Sequence, residues 1–302
     1  MIPMVGNSAI RATGDTKTPS IIMLIAVAVN STLDPLLIFG VGPFPRLEIA
    51  GAALATVFAR ATTFTVSLWV LWHRDRMLTL VRPPLRAAVD SWRKILYIGI
   101  PTAGTRVVMP VSVGVVTRMV ASFGTEAVAG LGVAMRIEFF ALTMVHALST
   151  VLLPFVGQNW GAGLIGRVRG SISRSNYFSL AWGAVMFAVL ALLARPIASI
   201  FNPDPVVVST TSLYLRIVPI GYGLYGVVVL ITAALNALNR PIHAATVSIG
   251  HRALFYIPFA MLGSHLYGLK GMFAGLMLSF LAGALVSLGF LGSVLSSESR
   301  AR

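Results

Sequence analysis

Cysteine is absent from the 302 residues. Disulfides, thiol catalysis and cysteine-ligated metals are therefore excluded. Charge is also scarce. Asp, Glu, Lys and Arg together make up 11% of the chain, less than half of what a soluble domain carries. No HExxH, P-loop or GxSxG pattern occurs. The five histidines (His73, His146, His243, His251, His265) are scattered without metal-ligand spacing. These absences argue against an enzyme, a resident cofactor and an ATP-driven pump. The first residues, MIPMVGNSAIRATGD, lack a charged stretch leading into a long apolar one, so no cleavable signal peptide is expected. What the chain has in abundance is apolar: 57% of residues are hydrophobic and the mean hydropathy is +0.86. The composition is that of an all-α polytopic membrane protein.

Eight segments are long and apolar enough to span, at about Pro19–Gly40, Glu48–Trp72, Ile95–Ala121, Glu126–Val156, Asn176–Ala198, Val206–Leu235, Ile242–Leu262 and Gly268–Leu291. Spanning segments without neighbours for hydrogen bonding must be helices. Met1–Ala9 is too short to span. Pro35, Pro110, Pro154, Pro219 and Pro258 fall inside segments and predict kinks. The net charge of +14 does not point to nucleic acid, because the basic residues cluster in short loops. One set of alternate loops holds 14 of them: Arg11 and Lys17; Arg74, Arg76, Arg82, Arg86, Arg93 and Lys94; Arg167, Arg169 and Arg174; Arg240; Arg300 and Arg302. The other set holds 3: Arg46, Arg195 and Lys270. That bias places the N-terminal turn, the His73–Lys94 loop and the C-terminus in the cytoplasm, facing anionic lipid of the cell membrane.

Asn30 and Asp34 lie four residues apart, on one face of the first segment. A carboxylate at that depth is costly in lipid and faces a cavity or a partner. Two readings stand: a protonated Asp that hydrogen-bonds Asn30 to steady the helix, or a proton or cation site that drives transport. In the latter, energy comes from an ion gradient, worth about 2.3 kcal/mol per charge per 100 mV.

Shifting the chain by 222 residues reveals a weak repeat. GDTKTPSIIMLIAVAVNSTLDPLLIFG from Gly14 aligns with NALNRPIHAATVSIGHRALFYIPFAML from Asn236. Pro19 falls on Pro241, Asn30 on Arg252 and Asp34 on Tyr256. A glycine-led helix follows in each copy, Gly51-Ala-Ala-Leu and Gly271-Met-Phe-Ala. The order argues for a parallel duplication. Four helices precede the repeat pair in the second half, and only Met1–Thr13 in the first. About 130 residues are thus expected to be missing at the front, through truncation or because a second chain supplies them.

Several stretches together resemble the MATE (multidrug and toxic compound extrusion) transporters. They are RATGDTKTP at Arg11–Pro19, NSTLDPLLIFGVG at Asn30–Gly42, AGAALATVFAR at Ala50–Arg60, YIGIPTAG at Tyr97–Gly104, ASFGTEAVAGLGVAMRIEFF at Ala121–Phe140, LPFVGQNWGAG at Leu153–Gly163 and LNALNRP at Leu235–Pro241. The NxxxD pattern is most similar to the branch with DNA-damage-inducible and archaeal members. The resemblance implies two six-helix lobes around a central cavity. Residues 1–73 then hold the end of the first lobe, 74–94 the inter-lobe loop, 95–295 the second lobe and 296–302 a cytoplasmic tail. It also implies export of cationic or amphipathic compounds in exchange for H⁺ or Na⁺. Asn30 and Asp34 match the family's coupling pair, and Thr56 is the candidate for a third coupling residue. The family's acidic residue on helix one has no counterpart in this sequence.

Other candidates come from the second half. Glu138, in RIEFF, could meet a cationic substrate or a proton, or form a structural ion pair with Arg118 on the preceding helix. Arg136 lies on a different face from Glu138. Arg252 could meet a carboxylate or a substrate, or hold an interhelical hydrogen bond. Met109, Met119, Met135, Met144, Phe139, Phe140, Tyr222 and Tyr225 could line a cavity. Gln158-Asn159 with Gly161 and Gly163 reads as a helix stop. Two rival functions remain: a flippase for lipid-linked precursors, which would use Arg106, Arg118, Arg136 and Arg216, and a non-transporting product of a truncated gene.

Overall fold

The computed structural model describes residues 2–79 and 84–301. Arg82 and Arg302, both counted above among the basic loop residues, lie outside the described residues. The chain divides into two compact units, one ending at Pro84 and the other beginning at Leu85.

In the first unit, α1 (Ile2–Ala12) leads through a tight turn to α2 (Lys17–Phe39) and α3 (Glu48–Trp69), which runs on as a π-helical turn, Val70–Arg74. The turn before α2 is held by charge. Asp15 accepts hydrogen bonds from the Thr18 amide (2.9 Å), the Thr18 hydroxyl and the Arg74 guanidinium (2.7 Å). These contacts pull the Asp15 carboxyl down to about 2, Thr18 contributing most and Arg74 less. Ile10, Ile22, Val70 and Leu71 form a small core, and Ser67 donates to Asn7 beside it. α2 and α3 form an antiparallel hairpin whose backbones touch. A Cβ on Gly51 would lie 2.4 Å from the Leu37 carbonyl oxygen, so only glycine fits there.

The second unit comprises α4 (Leu85–Ala121), α5 (Thr125–Gly161), α6 (Ile165–Leu192), the short α7 (Ala194–Phe201), α8 (Pro205–Ile217), α9 (Tyr222–Ala237), α10 (Pro241–Gly250) and α11 (Ile257–Ala301). α9 is apolar on every side and is the central helix, packed on α5, α6, α10 and α11. Asp204 caps α8 by accepting from the amides of Val206 (2.8 Å) and Val207 (3.0 Å), with Pro205 at the first helical position. Pro219 lies in a 3₁₀ turn, Val218–Gly221, between α8 and α9. A π-helical turn, His251–Tyr256, precedes Pro258, where the ring removes one backbone donor.

Seven continuous helical stretches among the described residues are long and apolar enough to cross a membrane. The last, Pro241–Ser296, holds both of the final two expected segments, because its backbone leaves the helical region at Tyr267 and Gly268. Its arms pack antiparallel. A Cβ on Gly275 would approach the Phe259 carbonyl oxygen to 2.1 Å, one on Gly263 would meet Gly271, and one on Gly283 would meet the His251 ring. The chain is a polytopic membrane protein.

Three sequence expectations need correction. α4 begins at Leu85 rather than Ile95, so the second part of the expected His73–Lys94 loop is helical. LRAAVDSWRK has no Pro or Gly to stop a helix, and a proline pair stands just before it. α6 begins at Ile165 rather than Asn176, directly after Gly163 (φ +75), and ends at Leu192 instead of running to Ala198. In the repeat, Gly51 corresponds by contact to Gly275, not Gly271. Both glycines touch a carbonyl on the preceding arm, and the arm residues Leu37 and Phe259 are themselves 222 apart.

Candidate functional site

Each unit holds a polar group within a long, largely apolar helix. In the first, Asn30 Nδ2 donates to Asp34 Oδ1 across one turn of α2 at 3.5 Å, and both side chains are half-buried. Pro35 follows at once. Its missing N–H leaves the carbonyl one turn back without a helical partner. No cation lies within ion-pairing distance of Asp34 among the described residues. Thr56 does not join the pair: its hydroxyl is exposed and donates to the Ala52 carbonyl in its own helix (3.0 Å).

In the second unit, Glu138 of α5 points towards α8 and α9. The hydroxyls of Tyr214 and Tyr222 both donate to its Oε2, the latter at 3.3 Å. Tyr214 is braced edge-on by Phe273 at 5.0 Å between centroids. Arg252 lies over the Tyr256 ring, 4.7 Å from its centroid, and donates to the Tyr225 hydroxyl at 3.4 Å. It forms no ion pair with Glu138 among the described residues. His251, 3% exposed, packs among Tyr225, Tyr256 and Phe280, and its Nε2 has no partner among the described residues. The arrangement is a carboxylate and a guanidinium, each satisfied by tyrosines, held apart rather than neutralised.

The ion pair expected between Glu138 and Arg118 is absent. Arg118 is exposed near the end of α4, while the Glu138 carboxylate is turned into the core. Thus the structure gathers Glu138, Tyr222 and Arg252 and leaves out Arg118. Met135 is half-buried, packed on the core on one side and bordering an open groove on the other. Tyr214 and Tyr256 carry the cluster and are not among the sequence candidates. Tyr214 stands about two helical turns before Tyr222, and the repeat places Tyr256 on Asp34. Those are the signals the sequence offers for them. Among the described residues no group of three or more His, Asp or Glu could hold a metal ion.

The MatE family model matches residues 101–262, more than half of the chain. The chain belongs to the MatE family. A relative from Shewanella oneidensis, the "FAD transporter", is 39% identical over 90% of this chain and 60% of its own length. The "Multidrug export protein MepA" of Staphylococcus haemolyticus is 26% identical over 89% of this chain and 58% of its own length. Among solved structures, a single-substitution mutant of the Vibrio cholerae MATE transporter VcmN superposes with a TM-score of 0.92 at 29% identity. It covers 98% of this chain and 66% of that one. The bent form of VcmN gives 0.85 at 30% identity, covering 96% and 65%. This MatE chain thus spans about 60% of the length of the curated relatives it matches.

Proposed function

We propose that the protein performs secondary active export of amphipathic organic solutes across the cell membrane, in exchange for H⁺ or Na⁺. Asp34 carries the coupling ion and Asn30 holds its carboxyl. The observation that carries this reading is the Asn30–Asp34 pair, half-buried beside Pro35 with no cation within ion-pairing distance among the described residues. Membership of the MatE family and likeness to a multidrug export protein support it. Protonation or ion binding at Asp34 removes a charge next to a proline-weakened turn, so α2 can bend or straighten with occupancy, and the lobes rock about the site. Residues up to 73 would close the first lobe and residues 95–295 form the second, with both termini cytoplasmic, as the 14-to-3 distribution of basic residues suggests. The NxxxD spacing favours the DNA-damage-inducible and archaeal branch. Glu138 with Tyr222 and Arg252 is the second lobe's candidate polar contact for solute, one that a solute reaches only if the buried cluster opens, and Thr56 is a weaker candidate because its hydroxyl is engaged locally.

A second reading concerns the cargo. The relative named as an FAD transporter is 39% identical, against 26% for the drug exporter MepA. That difference favours a flavin nucleotide or a solute of similar chemistry over a simple organic cation. Export assays in cells expressing the protein test both readings, with ethidium and FAD as cargoes. Wild type exports one or both. Asp34→Asn, equally expressed, exports neither against a gradient. Undiminished export by Asp34→Asn would overturn the assignment of the coupling site.

A further inference from the structure

Arg136 is a charge that no carboxylate in the second unit answers among the described residues. It lies eleven residues into α5, about 16 Å from the helix start, at a depth where an exposed guanidinium is costly unless something meets it. Glu138 cannot meet it, because two residues turn a helix by about 200° and the Glu138 carboxylate is committed to Tyr214 and Tyr222. No carboxylate reaches Arg136 within ion-pairing distance among the described residues. Phe139 and Phe140 follow at one turn's spacing on the same exposed face, their rings edge-to-face at 6.0 Å between centroids. With Met135 and with Phe201 from α7 they border a groove of about 500 Å³. That volume lies within the range of pockets that take drug-sized ligands.

We infer that this groove is a solute subsite for a planar aromatic anion, its phosphate on Arg136 and its ring against Phe139, Phe140 and Phe201. The inference rests on the second cargo reading above and assigns it a place. A guanidinium offers a fork of donors that matches phosphate oxygens, and exposed aromatic faces beside it recognise flat rings. An organic cation would meet the wrong sign at Arg136. Arg106, Arg118 and Arg216 are also exposed and outside any ion pair among the described residues, so the unit's helices carry an excess of positive charge that favours an anion over a cation.

The test is equilibrium binding to the purified 302-residue protein in non-ionic detergent, read by flavin fluorescence anisotropy. FMN and riboflavin are the probes, since they share the ring and differ by the phosphate. FMN should bind at least tenfold tighter than riboflavin. Arg136→Gln should weaken FMN about tenfold and leave riboflavin unchanged, Arg136→Lys should restore part of the loss, and Arg174→Gln, at an exposed arginine of α6 that does not border the groove, should match wild type. Phe139→Ala should weaken both probes alike. Equal binding of FMN and riboflavin, or no response of FMN to Arg136→Gln, would overturn the inference. So would a result in which Arg136→Gln abolishes capture of phosphatidylglycerol from mixed micelles while FMN binding stays unchanged, since the groove would then serve a lipid headgroup. No gradient is present in this assay. Failure of the Asp34 coupling model therefore leaves the result untouched, and failure of the groove leaves ion-coupled export standing.

Discussion

Substituting alanine for Gly275 tests the packing on which the second unit depends. An added Cβ would sit 2.1 Å from the Phe259 carbonyl oxygen and 2.6 Å from its carbon. Carbon atoms in contact prefer roughly 3.5–4.0 Å. Both neighbours are backbone, so no rotamer change can relieve the overlap, and the two arms of α10–α11 must separate by more than about an ångström. Overpacking of this kind costs about 1–3 kcal/mol, and the absence of a side-chain escape puts this site at the upper end. Alanine returns about 1 kcal/mol through helix propensity, leaving a net loss of about 2 kcal/mol. For a unit of this size, 1 kcal/mol corresponds to roughly 2–4 °C in Tm, so Gly275→Ala should melt about 4–8 °C below wild type in detergent. Gly289→Ala, on the same helix, is the control: a Cβ there meets nothing within 4 Å, and its Tm should hold or rise. Equal shifts in the two variants would refute the argument that the Gly275 contact, rather than glycine's general effect on a helix, sets the response.

Other consequences follow from the same contacts. Glu138→Leu should lower stability by about 1–3 kcal/mol for each tyrosine hydroxyl it orphans, and adding Tyr214→Phe should recover part of that loss in a double-mutant cycle of thermal melts. Arg252→Lys should cost about 0.5–2 kcal/mol through the lost stack on Tyr256, while Arg252→Gln with Glu138→Gln should show whether the two charges stabilise one another. The Asp15 carboxyl, held at about 2 against 3.8 when free, binds its proton less readily in the folded chain. Its contribution is therefore complete above about pH 4 and lost as pH falls through 2. Hydrogen exchange at the Thr18 amide, corrected for intrinsic rate, should stay protected from pH 7 to 4 and open towards pH 2. Arg74→Ala should weaken that protection between pH 7 and 4, where Asp15 is ionised.

Much of this architecture is legible in the sequence because lipid imposes long apolar helices, and the apolar runs mark them directly. The helix starts are not. Leu85–Lys94 and Ile165–Ser175 are polar enough to read as loops, yet neither contains a proline, and α6 runs through Gly166 and Gly170 without a break, so each helix extends beyond its apolar part. The hairpin register shifts by one turn from the sequence match because several glycines share the α11 stripe: Gly271 and Gly275 both meet a backbone carbonyl on the preceding arm, and only the partner tells them apart, since Phe259, met by Gly275, is the repeat equivalent of Leu37. At the site, spacing alone joins Asn30 to Asp34, since a single helix fixes both. The partners of Glu138 come from α8 and α9, on either side of the 3₁₀ turn that holds Pro219. Charge complementarity points instead to Arg118, but a carboxylate can be satisfied by two hydroxyls without any cation.

The central claim is that Asp34 binds the ion whose movement drives export. The direct measurement is ion uptake by liposomes containing the purified protein, with a pH-sensitive dye or ²²Na⁺, on addition of exported solute. Wild type should take up H⁺ or Na⁺ in proportion to solute moved, while Asp34→Asn moves neither the ion nor solute against a gradient. Solute-dependent ion uptake that persists in Asp34→Asn would contradict the account and move the coupling site elsewhere in the chain.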